Sequence, residues 1–142
     1  AQGVDPNIAN QIDGPPIYIA AKANNVEIVE TLLKSGADPN VKDVRYYEQY
    51  DNNHNPVYIA AENGNLNIVQ LLWAYGADVN QLQRLDYQTY QKPLDTAIVN
   101  NHLEIVRYLL ERGADFSIHT LELATSSGSP KMLELVSSYT PH

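Results

Sequence analysis

The side chains best suited to chemistry in this 142-residue chain are four histidines, seventeen acidic residues and ten tyrosines. His54, His102, His119 and His142 are scattered, and cysteine is absent. No two of them have the short spacing that sets a pair of ligands on one metal ion. Asp38, Asp78 and Asp115 recur, but each follows a Gly-Ala pair. An acid that returns at a structural period is a turn acceptor before it is a catalytic group. The glycines fall at turns and helix ends, and none forms a phosphate loop. These residues point to no catalysis, no metal and no cofactor.

The tyrosines are distributed differently. Tyr46, Tyr47, Tyr50, Tyr87 and Tyr90 fall in two stretches, 41–55 and 81–92. Tyrosine offers broad contact area, a polar tip and little rotamer entropy to lose, so it is enriched at recognition surfaces. These five are candidate partner contacts; the competing reading is that the rings brace two long hairpins. Tyr18 and Tyr58 are expected to pack between layers with their hydroxyls bonded. Tyr108 is expected to pack, and Tyr75 is open to either reading.

The element that positions these residues is clearest between Asn55 and Asn80. Asn55 suits an N-cap and Pro56 a first helical position. Gly64 suits the left-handed residue that ends a helix. Ile68, Val69, Leu72 and Trp73 follow at i, i+1, i+4 and i+5, the apolar stripe of a second helix. Gly76 ends it. The pattern returns as Ile28, Val29, Leu32, Leu33 and as Ile105, Val106, Leu109, Leu110. Asn24, Gly64, Asn101 and Gly128 stand at the ends of the first helices, and all are residue types that accept positive φ.

This internal repeat resembles the ankyrin repeat. The family's Thr-Pro-Leu-His-x-Ala-Ala is similar to Pro15-Pro-Ile-Tyr-Ile-Ala-Ala21 and to Asn55-Pro-Val-Tyr-Ile-Ala-Ala61. Its Glu-Ile-Val-x-x-Leu-Leu is similar to Glu27–Leu33 and Glu104–Leu110, and its Gly-Ala-Asp-Val-Asn to Gly76–Asn80. The family's helix-opening His is replaced by Tyr18, Tyr58, Asp95 and Glu122. The resemblance implies an all-α solenoid of about four helix-turn-helix units, in a single domain with repeats at 8–40, 41–80, 81–117 and a cap at 118–142. It also implies a concave binding face. On this chain that face is Lys22, Glu62, Asn63, Val99 and Asn100, beside His54 and Gln91 at the finger bases.

Helix pairs are expected at roughly 16–23 and 26–35, 56–63 and 66–75, 93–100 and 103–112, and 120–127 and 130–138. The connecting fingers differ in length. Asn7 to Pro16 is nine residues, Asn40 to Pro56 sixteen, and Asn80 to Pro93 thirteen. The finger before Leu121 is almost deleted. Pro15 and Lys92 are poor N-caps. In the last unit the stripe Met132, Leu133, Val136, Ser137 ends in a polar residue, as a C-terminal cap requires. Gly3-Val-Asp-Pro-Asn7 copies Gly36-Ala-Asp-Pro-Asn40, a unit's end, so the chain is expected to be a fragment of a longer protein.

A net charge of −8 and a pI near 4.8 argue against nucleic acid or an anionic membrane as the main partner. No apolar run approaches a membrane span, and no signal peptide is visible. The absence of cysteine fits a cytoplasmic or nuclear protein. The expectation is a monomeric protein-interaction module without catalysis, binding a protein partner through the concave face and the extended fingers. Two alternatives are the targeting or regulatory segment of a larger enzyme or channel, and an engineered binder.

Overall fold

A computed structural model of the chain describes residues 15–40, 55–85 and 89–139. Among them lie α1 (Pro16–Lys22), α2 (Val26–Lys34), α3 (Pro56–Asn63), α4 (Leu66–Ala74), β1 (Gln83–Arg84), β2 (Tyr90–Gln91), α5 (Pro93–Val99), α6 (Leu103–Glu111), α7 (Ile118–Ser126) and α8 (Pro130–Ser137). All eight helices stand within two residues of their expected places.

Local chemistry sets the helix ends. Asn25, Asn55, Asn65 and Ser129 each accept a bond from the backbone N–H three residues on, at 3.1–3.2 Å. Pro15 and Lys92 supply no side-chain cap, as expected from their types. Ser117 caps α7 in a reciprocal box with Thr120. The turn after each first helix passes through positive φ, at 59° for Asn24 and 60° for Asn101.

The first helices α1, α3, α5 and α7 stack in one row, and α2, α4, α6 and α8 in a second row beside it. Small residues bring the inner row close together: Ala21, Ala60, Ala61 and Ala97 are wholly buried. Val29, Val69, Val106, Leu72 and Leu109 fill the space between rows and are wholly buried too. Truncating one such leucine to alanine costs about 2–5 kcal/mol.

Polar clips join the units. The Asn40 side chain donates to the Gly76 carbonyl at 2.9 Å and accepts from the Asp78 N–H at 2.6 Å. Asn80 repeats this with Gly113 and Asp115, at 3.5 and 2.7 Å. The recurring aspartates do act in turns: Asp38 and Asp78 accept from the N–H groups of Asn40 and Asn80. β1 and β2 pair antiparallel, with Gln83 opposite Gln91, and form the base of the finger over 81–92.

Three apolar stripe residues depart from the core: Trp73, Ile28 and Leu133. Trp73 is 41% exposed, whereas Leu33 and Leu110 at the same position are 3% and 7% exposed. The indole is larger than the leucine-sized slot and lies across the outer row instead. There it meets Tyr108 edge-on at 6.3 Å, and the Arg112 guanidinium sits over both rings. Ile28 and Leu133 are the other exceptions, at 49% and 36% exposure. Tyr108 packs against the core, and Tyr75 is exposed.

Candidate functional site

The inner row builds the candidate face. Glu62 stands one turn beyond Tyr58 on α3, and Val99 holds the equivalent place on α5. Both side chains are exposed, Val99 to 56%. Helices packed in the inner row hold them, so a partner meeting them would order little of this chain.

Several expected face residues also serve the fold. Asn63 donates to the Lys22 carbonyl at 3.1 Å and ties the first unit to the second. Asn100 donates to the Thr96 carbonyl and hydroxyl within its own helix. Gln91 accepts from the Tyr58 hydroxyl at 2.6 Å, so a finger base is fastened to the preceding unit. Tyr90, one residue earlier, is 51% exposed. His54, Tyr46, Tyr47, Tyr50 and Tyr87 lie outside the described residues.

The buried side of this face carries two tyrosines and an acid. Burial pushes the Tyr18 hydroxyl pKa up, and the nearby Glu62 carboxylate pushes it further. For Tyr58 burial is again the largest cause; a bond with Thr96 opposes it, while Glu62 and Asp95 add to it. Both hydroxyls therefore stay protonated donors at neutral pH. Asp95 follows them in the third unit, 6% exposed, with one carboxyl oxygen lacking any partner. Burial raises its pKa, against the Lys92 N–H and the charges of His119 and Lys92.

The sequence reading missed Ile118, the most exposed large apolar residue described, at 74%. It aligns with His54 and Gln91, so an apolar residue at a position polar elsewhere was the available signal. Leu82 and Leu85 on the finger are also exposed, at 43% and 50%. Among the described residues no group of three His, Cys, Asp or Glu could hold a metal ion. No described helix is long and apolar enough to cross a membrane.

A family model for ankyrin repeats, in three copies, matches residues 17–120. The chain belongs to the ankyrin-repeat family. Such repeats generally serve as protein-interaction modules and are typically non-catalytic. The search of curated proteins gave no significant match.

Proposed function

We propose that this chain is a non-catalytic module that binds a protein partner across its inner helices and its two long fingers. The observation that carries the reading is the pair Tyr90 and Val99. Both are more than half exposed, and both sit on fixed secondary structure in the third unit. Exposed apolar groups beside polar ones, held rigidly, are what an interface core needs. Glu62 supplies an anionic neighbour, and the donors of Asn63 and Asn100 fix the polar rim to the fold. Tyr46, Tyr47, Tyr50 and Tyr87, with His54, extend the contact from the fingers. The partner is a protein rather than nucleic acid, in keeping with the net charge of −8.

The test is affinity capture from extract, with identification of the bound protein and titration of the purified pair. Tyr47→Ala with Tyr50→Ala, and separately Val99→Asp, should leave helicity and melting nearly unchanged. Each should weaken the complex, by about 2 kcal/mol or more where a hot spot is removed. If the tyrosines only brace the finger, their loss lowers stability and affinity falls no further than the fold does. Partner binding that ignores all three substitutions rejects the proposed face.

A further inference from the structure

Tyr18, Tyr58, Asp95 and Glu122 hold one position in the four first helices. In the second unit a side chain at that position reaches the next unit: the Tyr58 hydroxyl donates to Gln91 at 2.6 Å. α5 stacks on α7 as α3 stacks on α5. The residue that aligns with Gln91 and stands across from Asp95 is Ile118, whose side chain has nothing to donate. The connection at this point is short. Ser117, aligned with Asn80, lies three residues before Thr120, whereas Asn80 lies thirteen before Pro93. Among the described residues no strand stands between Gly113 and α7.

The result is a buried acid without the partner that its register would supply. Asp95 is 6% exposed, and its Oδ1 has no hydrogen-bond partner. The other oxygen reaches back to the Lys92 N–H, as an acid at the third helical position does. A buried charge left unpaired costs free energy, which a donor from outside recovers. Two exposed apolar residues stand on either side in register. Ile118 is 74% exposed, and Val99, one turn beyond Asp95 on α5, is 56% exposed.

We infer that this notch between the third and fourth units takes a lysine of a protein partner, presented beside an aliphatic side chain. The ammonium donates to Asp95 Oδ1, and the aliphatic group covers Ile118 and Val99. The inference rests on the proposed binding face and names the chemistry which that face selects. One oxygen is already taken by the Lys92 N–H, so a guanidinium fork finds no second acceptor, while a compact ammonium on a slim stem needs only one. Its way in lies past His119, whose charge acts on the Asp95 carboxyl and whose side chain is 65% exposed. Glu122, 3.7 Å from that ring, frees its carboxylate for the same cation when the ring is displaced. The net charge of −8 draws a basic segment to the chain as a whole.

The experiment selects a displayed library of random peptides on the whole 142-residue chain. Peptides with lysine next to Leu, Ile or Val should be enriched over those with arginine in its place. One such peptide, and a version with Gln for its lysine, are then titrated against the chain and its Asp95→Asn variant. Asp95→Asn should weaken the lysine peptide about tenfold and leave the Gln version unchanged, a coupling between the two groups. Melting curves check that the variant is folded. Should Asp95→Asn disturb the fold, Ile118→Ala at its exposed site decides: the lysine peptide should bind several-fold more weakly, and unchanged affinity overturns the inference. Enrichment of basic peptides that Asp95→Asn leaves unaltered reports only the overall charge and overturns it, as does enrichment of acidic or uncharged peptides. A natural partner whose binding is lost with Val99→Asp but ignores both Asp95→Asn and Ile118→Ala overturns the lysine notch while leaving the proposed face standing.

Discussion

The ring of His102 reaches back across one unit and sets Nε2 at 3.0 Å from the carbonyl oxygen of Glu62. A carbonyl only accepts, so Nε2 carries the hydrogen. His102 stands at the N-cap of α6 and makes no cap bond there. Its ring instead closes over Gly64, where an added Cβ would lie 2.6 Å from Cε1. Gly64 is thus needed twice, for its φ of 79° and for the room it leaves.

Gly64→Ala should therefore cost more than Gly36→Ala. Both pay about 1–2 kcal/mol for the left-handed backbone, but at Gly36 nothing lies within 4 Å of the added methyl group. Urea unfolding of both variants gives the difference. His102→Ala should recover part of the Gly64→Ala loss, and additive losses would show that the ring is not the obstacle.

Asn40→Ala removes two bonds between units and should cost about 1–3 kcal/mol. Asn80→Ala should cost less, because its donor lies 3.5 Å from the Gly113 carbonyl against 2.9 Å for Asn40 and Gly76. Denaturant midpoints rank the two.

Asp95 makes stability depend on pH. Its folded pKa is raised by burial, so the folded state holds the proton more tightly than the unfolded state. The stability linked to that proton is present below the unfolded value and is lost as pH rises through the folded one. Asp95→Asn keeps an acceptor without the buried charge. It should stabilise the chain at pH 7 by about 1 kcal/mol, the order of a buried unsatisfied group. The gain should shrink toward zero as pH falls below the usual carboxylate range. Melting curves from pH 3 to 8 test the sign.

Trp73 is the chain's sole tryptophan, so its emission reports on the outer row. Arg112→Ala uncovers it, since the guanidinium lies 5.0 Å from its ring centre. The emission should shift to the red, with a stability loss of about 0.5–1 kcal/mol, as for an exposed cation–π pair. An unmoved spectrum would mean that the stacking is not maintained in solution.

The repeat was legible because its signals are local. Asn24 and Asn101 declare positive φ, Asn55 and Asn65 declare caps, and the Ala-Ala pairs declare close inner helices. Burial was less legible. Ile28 and Ile68 are the same residue in the same pattern, and only the neighbour on the far side decides which is covered. The indole of Trp73 fits the pattern but not the slot. The Asn63 donor finds its acceptor 41 residues away, at Lys22, which no window of sequence reveals. Tyr90 and Val99, named from composition and resemblance, are both exposed. Gln91 and Asn100, named with them, have side chains bonded within the fold.

Each of the two clips is divided between one unit and the next: an Asn amide on one side, a Gly carbonyl and an Asp N–H on the other. The unit that ends at Asn80 holds both halves, receiving at Gly76 and Asp78 and giving at Asn80. A duplicated copy of that unit would be recognised on both of its sides with no new residue required. Ser117 stands where the next giving Asn would be, and its hydroxyl is bonded to the Thr120 N–H within α7. The array is therefore open to growth by gene duplication ahead of Ser117, and its sequence grammar closes there.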